Sequence, residues 1–260
     1  MTKFYLISFD CESTGLSIYN DQVVELGAVV NLWDIDQNSM QTIGTFAEYA
    51  RPTKTQMSNK AAEITGISMD FLQDKSTIDS VLQKFNTFIN KTCDQENVKR
   101  ILVSYNGFSY DVPIIVHELE RLRTESSLSY FRSLRIDHAL DMLHFCREHV
   151  DTSKLVRKAN GSCSYKLGDV YMSMCHTPLS NAHGALVDSR AVLDIIAVED
   201  VQCKLSEFID DIKDCQHCKN PMTLVRNILS KKQGNIKYKG RKALEMFAKY
   251  KQIKRKKSIL

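Results

Sequence analysis

The stretch FYLISFDCESTGL, residues 4–16, combines a continuous apolar run with two carboxylates at its end. An apolar run of this length, followed by the turn residues STG, is typical of a buried β-strand. Side chains two positions apart on a strand share a face, so we expect Asp10 and Glu12 to point the same way and Cys11 the opposite way. Two like charges this close are tolerated if one is protonated, if water solvates both, or if a cation lies between them. Taken alone, the pair is more typical of ordinary strand-end charges than of a metal site.

Further strands are predicted at 23–33 and 45–52, and their short connections favour an antiparallel meander. After the meander, helices alternate with strands, and this order predicts an α/β domain in which helices cover a mixed sheet. The predicted elements are a helix over 76–90 with Ser76 as N-cap, a buried strand over 101–105, a helix from Pro113 to about Arg123, a short strand passing into a helix over 134–145, a helix with Ser164 as N-cap, and a last helix over about 183–199.

Composition and hydropathy exclude several classes of protein. The 260 residues are 43% hydrophobic and 25% charged, as in an ordinary globular domain. No apolar run approaches the ~20 residues of a membrane helix, and the first apolar run is too short and too soon followed by Asp10 to be a signal peptide. The eight cysteines are scattered and read as thiols. We therefore expect an intracellular protein of a reducing compartment, either nucleus or cytoplasm.

Charge divides the chain into two parts. Residues 219–260 contain 14 Lys and Arg against one acid, a net charge of +13, and the remainder of the chain carries −9. We therefore predict a domain over 1–204 and a basic, partly helical C-terminal extension over 205–260. A basic segment of this kind typically binds phosphate and is expected to recruit nucleic acid, although a docking helix for a protein partner is the alternative. Its run KRKK, 254–257, reads equally as a nuclear-import signal or as solvated charge.

Two other groups of residues have two interpretations each. Cys215 and Cys218 have the spacing of half a zinc site, yet no second pair follows, which favours free thiols. Asp137 and Asp141 stand near the carboxylate-rich segments, but a solvated face or a helix cap explains them better than a role as metal ligands.

Three segments place carboxylates at the ends of predicted elements: FDCESTGL, SYNGFSYD and NAHGALVD. Asp111 ends the second segment, after a buried strand and before a helix. In the third, His183 and Asp188 are five positions apart at the start of a helix. Carboxylate oxygens are hard ligands suited to Mg²⁺ or Mn²⁺. Four carboxylates around two such ions, ~3.5–4 Å apart, stabilise both the attacking and the leaving oxygen of phosphoryl transfer, so a bound cation best explains the opening pair.

In the same order, FDCESTGL, NGFSYD and HGALVD resemble the three exonuclease motifs of the DnaQ-like, DEDDh family of 3′→5′ exonucleases. VVELGAVV, Pro52, AAEITGIS and SYKLGDVYM also follow the family's order, so the resemblance covers about residues 4–200. It implies a ribonuclease H-like fold and a metal-dependent 3′→5′ exonuclease that releases 5′-mononucleotides in proofreading, repair or degradation, with DNA favoured as substrate. Many relatives carry His where the segment ITGIS has Thr65, a departure that bears on base or strand preference.

The resemblance also implies roles for the motif residues. Asp10 would bridge two Mg²⁺ ions, for which Mn²⁺ is the expected substitute, with Glu12 and Asp188 at the first ion and Asp111 at the second. His183 would be the general base that deprotonates the attacking water, a role suited to an imidazole, whose ordinary pKa is ~6.5.

The same resemblance implies that Thr14, Gly15 and Leu16 hold the 3′-terminal nucleotide, with Leu16 wedged against a base, and that Asn106 assists. The expected partner is nucleic acid with a free 3′ end, more often DNA than RNA, together with a polymerase or another replication or repair protein, and no membrane. Two rival functions remain at this stage: an exoribonuclease that trims RNA, and a non-catalytic module that binds nucleic acid or a polymerase.

Overall fold

A five-stranded mixed sheet organises the computed structural model, which describes residues 2–212 and 220–231. The strands are β1 (Lys3–Ser13), β2 (Val23–Asp34), β3 (Ser39–Tyr49), β4 (Lys99–Ser104) and β5 (His138–Asp141). Their order across the sheet is β3-β2-β1-β4-β5; the pairs β1–β2 and β2–β3 are antiparallel, whereas the pairs β1–β4 and β4–β5 are parallel. The predicted meander and mixed sheet are thereby confirmed.

Helices cover both faces of the sheet. The helices are α1 (Asn59–Thr65), α2 (Met69–Leu72), α3 (Ile78–Thr92), α4 (Asp111–Leu122), α5 (Ser127–Ser133), α6 (Met142–His149), α7 (Leu167–Cys175), α8 (Ala185–Ala197), α9 (Glu199–Ile212) and α10 (Pro221–Lys231). Side chains of β1 alternate between two cores: Ile7 and Phe9 pack with α3, α4, α5 and α10, whereas Phe4 and Leu6 pack with α6, α7, α8 and α9. The central strand thus has apolar neighbours on both faces, as the run FYLISF predicts.

Several element boundaries differ from the predictions. β3 begins at Ser39 rather than at 45, because its first half, SMQTIG, is an edge without buried residues and has no continuous apolar run. The N-cap of α3 is Thr77 rather than Ser76. The cap predicted at Ser164 is wrong: α7 follows Lys166, and the Ser164 hydroxyl instead donates to the carboxylate of Asp169. The short helices α1 and α2 were not predicted, since neither has the length to show a helical period.

The end of the described chain returns to the first core. α10 packs against α4 and α5, and its Leu224, Val225 and Ile228 are buried there. The predicted boundary between 204 and 205 lies inside α9, and the division into a domain and an extension stays a prediction. Cys215, Cys218 and the run 254–257 lie outside the described residues, as does most of the basic segment.

Two further observations concern the described ranges only. The six cysteines in them are free thiols. Among the helices within 2–212 and 220–231, none combines the length and apolar character needed to cross a membrane.

Candidate active site

Three of the predicted site residues meet at one end of the sheet. Asp10 and Glu12 lie near the end of β1, and Asp188 lies in the first turn of α8. One carboxylate oxygen from each lies within 4.8 Å of the others. Because α8 packs directly on β1 and β2, residues nearly 180 positions apart in sequence share one site.

Asp188 has one oxygen without a hydrogen-bond partner. Its Oδ2 accepts the backbone N–H of His183 at 3.3 Å, whereas its Oδ1 is buried and has no hydrogen-bond partner among the described residues. A buried carboxylate oxygen without a donor is costly unless a cation or a proton satisfies it. The trio, with hard oxygen ligands and one unsatisfied oxygen, therefore fits a divalent ion such as Mg²⁺.

The His183 ring is exposed at the rim of this trio. The residue has a φ of 70°, in the left-handed region, directly before the Gly184 N-cap of α8. This backbone turn lets the N–H face Asp188 while the imidazole remains accessible to solvent.

Asp111, the first residue of α4, lies beside the trio. It is buried, and its Oδ1 accepts hydrogen bonds from the Cys11 backbone N–H at 3.1 Å and the Cys11 thiol at 3.0 Å. Cys11 packs in the opposite core from the trio, as strand alternation predicts. Its contact with Asp111 was missed, because the sequence does not reveal how the start of α4 meets β1.

The four acids repel each other in the absence of a cation. Burial raises the pKa of Asp10 well above its usual value, and the charges of Asp111 and Glu12 raise it further. Burial together with the charges of Asp188 and Glu25 raises the pKa of Glu12 to about 8. Burial also raises the pKa of Asp111, to about 6, although the hydrogen bonds from Cys11 oppose this shift. At neutral pH the site thus favours either protonation or a bound cation.

We expect the metal-free protein to lose stability as the pH rises from about 4.5 to about 8, the usual and the raised pKa of Glu12. Because the folded state binds more protons than the unfolded state in this window, the stabilisation is fully present below the lower pKa and lost as the pH passes the higher one. Mg²⁺ at ~100 times its Kd adds ~2.7 kcal/mol to the free energy of unfolding. At one fixed Mg²⁺ concentration this gain should be larger at pH 8, because fewer protons compete for the carboxylates. Thermal unfolding with chelator or with Mg²⁺ across this range measures both effects.

Glu12→Gln is the control for that experiment, because it removes the titration of Glu12 while keeping the side-chain shape. Its metal-free melting temperature should depend less steeply on pH than that of the wild type. A wild-type melting temperature that rises with pH in chelator, or an unchanged slope in Glu12→Gln, contradicts the assignment of these shifts to the acidic cluster.

The residues predicted to bind the terminal nucleotide lie in the loop after β1. Thr14 is fully buried: its hydroxyl donates to Asp21 at 2.9 Å and accepts the Gln22 N–H at 3.0 Å, so it fixes the shape of the loop. Next to it, the Gly15 carbonyl accepts the Ser13 hydroxyl. Leu16 is 87% exposed, the most exposed large apolar side chain in the described residues. The loop thus holds an apolar side chain outward beside the carboxylates.

Asn106 lies between β4 and α4, in the loop that leads to Asp111. It is exposed, with a φ of 65°, and its backbone N–H donates to Asp141 Oδ1 at 2.8 Å. The same buried carboxylate accepts the Phe108 N–H at 3.2 Å and caps α6 through the Leu143 N–H at 3.1 Å. The helix-cap interpretation of Asp141 is confirmed, while its hold on the Asp111 loop was missed. Asp137 is exposed and accepts the Arg100 N–H.

Comparisons with known proteins identify the family of this chain. The RNase T family model, described as exonuclease, matches residues 7–196. The PolC-type DNA polymerase III of Clostridium perfringens is 25% identical over 208 residues, which cover 80% of this chain and 12% of the relative. The PolC-type DNA polymerase III of Bacillus cereus is 35% identical over 109 residues, which cover 42% of this chain and 6% of the relative.

Among solved structures, Escherichia coli exonuclease I in complex with a dT13 oligonucleotide matches with a TM-score of 0.62 at 18% identity, over 80% of this chain and 43% of that chain. The apo form of exonuclease I matches with a TM-score of 0.61 at 15% identity, over 81% of this chain and 45% of that chain. At this identity the likeness concerns the fold, which is the ribonuclease H-like fold expected above. The chain thus spans about an eighth of the PolC-type relative from Clostridium perfringens and less than half of exonuclease I.

Proposed function

Since the chain belongs to the RNase T family of exonucleases, we propose that it is a metal-dependent 3′→5′ exonuclease that releases 5′-mononucleotides from the 3′ end of nucleic acid. The observation that carries this proposal is the convergence of Asp10, Glu12 and Asp188 within 4.8 Å. The family implies a divalent metal, and this trio supplies the oxygen ligands for it.

The proposed ligands divide between two Mg²⁺ ions, with Mn²⁺ as a substitute. Asp10, Glu12 and Asp188 would hold the first ion, and Asp10 with Asp111 would hold the second. A pair of such ions stabilises the charge on the attacking and leaving oxygens of phosphodiester hydrolysis. The thiol and backbone N–H of Cys11 keep the Asp111 carboxylate in place for this role.

His183 is proposed as the general base. Its exposed imidazole stands at the rim of the trio. The residue is held there because its backbone N–H donates to Asp188. In the reaction, a ring nitrogen takes a proton from the attacking water, and the 3′ oxygen of the neighbouring nucleotide leaves. No covalent enzyme intermediate is expected, because the thiol of Cys11 is buried and its raised pKa keeps it protonated.

The terminal nucleotide is proposed to bind at the loop after β1. Leu16 projects far enough into solvent to pack against a base, while Thr14 and Gly15 hold the loop backbone in place. Asn106, exposed in the loop before Asp111, is a candidate for a polar contact to the nucleotide.

DNA is the favoured substrate, and a polymerase or another replication or repair protein is the proposed partner. Two of the similar proteins support this choice. The structure of exonuclease I contains the oligonucleotide dT13, and the relatives from Clostridium perfringens and Bacillus cereus are DNA polymerases. The basic segment 219–260 would add affinity for the strand backbone.

The direct test is digestion of oligonucleotides labelled at the 5′ end or at the 3′ end, as DNA and as RNA, single-stranded and duplex. We expect Mg²⁺-dependent shortening from the 3′ end with 5′-mononucleotides as products, faster on DNA, and no turnover in chelator. Shortening from the 5′ end would overturn the proposed 3′→5′ direction. Faster digestion of RNA would make RNA, rather than DNA, the preferred substrate. No turnover on any oligonucleotide with Mg²⁺ or Mn²⁺ would support the non-catalytic alternative.

A further inference from the structure

Glu25 is a buried acid next to the metal centre that the proposed mechanism does not use. It lies on β2 directly opposite Glu12 of β1 and opposite Tyr49 of β3, and only 6% of its surface is exposed. It does not belong to the trio of Asp10, Glu12 and Asp188. Its placement on the strand that supports α8 connects it to Asp188.

Glu25 contacts the backbone at the start of α8. Its Oε2 accepts the Ala185 N–H at 3.3 Å. The Ala185 N–H is one of the first N–H groups of the helix, which have no partner within the helix itself. A carboxylate at this position also complements the positive end of the helix dipole. The first turn of α8, which carries Asp188, is therefore tied to β2 by a charged acceptor.

A second feature of β2 brings α8 close enough for this bond. Gly27 lies two positions beyond Glu25 on the same face, and a Cβ at Gly27 would lie 2.3 Å from the Ala185 carbonyl carbon. One turn further along α8, the Ser189 hydroxyl lies 2.7 Å from the Ala185 carbonyl oxygen and 3.1 Å from the Gly27 carbonyl oxygen. Glycine thus permits the close approach, and Glu25 holds the start of the helix on the strand.

A carboxylate at position 25 has an electrostatic cost, because it stands among other acids. The Asp188 charge acts on both Glu25 and Glu12, and Glu25 and Glu12 are cross-strand neighbours. A neutral Gln would supply the same acceptor for Ala185 without this repulsion. A divalent cation held by the trio would instead attract the Glu25 charge.

We propose that Glu25 is a positioning residue of the metal centre, with two separable effects. Its acceptor oxygen holds the first turn of α8 on β2, so that Asp188 stays within reach of Asp10 and Glu12. Its charge, which is not a ligand, strengthens the binding of divalent cations by the trio. This inference rests on the proposed function only in that the trio binds a divalent ion.

Two substitutions separate these effects in the full-length chain. Glu25→Gln keeps an acceptor for the Ala185 N–H and removes the charge. Glu25→Ala removes both. Asp34 is the matched control: it is the last residue of the same strand, is buried, accepts the Gln37 N–H and pairs with Lys3, and lies at the opposite end of the sheet from the trio.

The measurements are Mg²⁺ and Mn²⁺ binding by calorimetry without nucleic acid, and hydrogen exchange of the Ala185 amide. We expect Glu25→Gln to bind Mg²⁺ roughly tenfold more weakly, since a unit negative charge is lost directly across the strand pair from Glu12, with little change in Ala185 exchange. Glu25→Ala should show the same or a larger loss of affinity, and Ala185 exchange at least ~10-fold faster, because the helix start loses its anchor. Asp34→Asn and Asp34→Ala should alter neither the Mg²⁺ affinity nor the exchange rate of the Ala185 amide.

Several outcomes would overturn the proposal. If Glu25→Gln binds Mg²⁺ with wild-type affinity, the proposed effect of the charge is rejected. If Ala185 exchange is unchanged in a folded Glu25→Ala variant, the proposed anchoring of α8 is rejected. Equal losses of affinity at positions 25 and 34 indicate general destabilisation instead. These readouts need no turnover, so a chain that binds Mg²⁺ in this way and yet digests no oligonucleotide would reject the proposed function while leaving the role of Glu25 intact. A wild type that binds no divalent ion rejects both.

Discussion

Asp10→Asn is expected to lower kcat for 3′-end hydrolysis at least ~1,000-fold while leaving the fold intact. The reason is that Asp10 lies in the trio and, in the proposed mechanism, is the acid shared by both ions. Loss of a shared ligand removes several kcal/mol of transition-state charge stabilisation, and each ~1.4 kcal/mol corresponds to a tenfold change in rate. Initial rates on a 5′-labelled oligonucleotide at saturating Mg²⁺ measure the loss.

The same substitution should stabilise the metal-free protein. Burial and the charges of Asp111 and Glu12 raise the pKa of the Asp10 carboxylate well above its usual value. Replacing this carboxylate therefore removes both its desolvation and its repulsion with the neighbouring acids. A gain on the order of 1 kcal/mol would raise the melting temperature by ~2–4 °C. The control is Asp137→Asn, at an exposed aspartate that accepts the Arg100 N–H, for which we expect neither effect. An active Asp10→Asn enzyme, or one destabilised in chelator, contradicts the assignment.

His183→Ala is expected to lower kcat by ~10²–10⁴-fold, the usual contribution of a general base. The trio and the orphaned oxygen of Asp188 do not involve the imidazole, so Mg²⁺ affinity should change little. A large loss of kcat with retained metal binding therefore separates proton transfer from metal coordination. Single-turnover rates, combined with metal binding by calorimetry, provide both measurements.

His176→Ala is the matched control for that variant. His176 is likewise exposed and has a φ of 58°, so both substitutions impose the same backbone change at a left-handed position. We expect the His176 variant to keep wild-type kcat. Equal losses in the two variants would point to backbone strain rather than to a general base, and a fully active His183→Ala enzyme would remove His183 from the mechanism.

The meander and the alternation of helices with strands were predictable from the sequence because they depend on local patterns. The run FYLISF indicates a strand with apolar neighbours on both faces, and strand parity places Asp10 and Glu12 together, with Cys11 in the opposite core. The link between those two acids and Asp188 came from the resemblance to the exonuclease motifs rather than from local patterns. It depends on α8 packing across β1 and β2, and no periodicity reveals that contact.

What was missed depends on tertiary contacts between polar groups. Glu25 reads as one polar residue within the apolar strand VVELGAVV, and only the approach of α8 shows that it accepts the Ala185 N–H. Asp141 reads as a helix cap, which it is, but its second oxygen also holds the loop before Asp111. In both cases a buried carboxylate serves backbone N–H groups that are distant in sequence, and neither composition nor spacing encodes such a pairing.

The packing of α10 matters for anyone shortening this protein. Leu224, Val225 and Ile228 fill the side of the first core formed by α4 and α5. A variant cut at residue 204 would leave that apolar surface open to water, and its self-association could be mistaken for an effect of losing the lysine-rich segment. Deletions meant to probe that segment should therefore begin after residue 231, so that Leu224, Val225 and Ile228 stay in place.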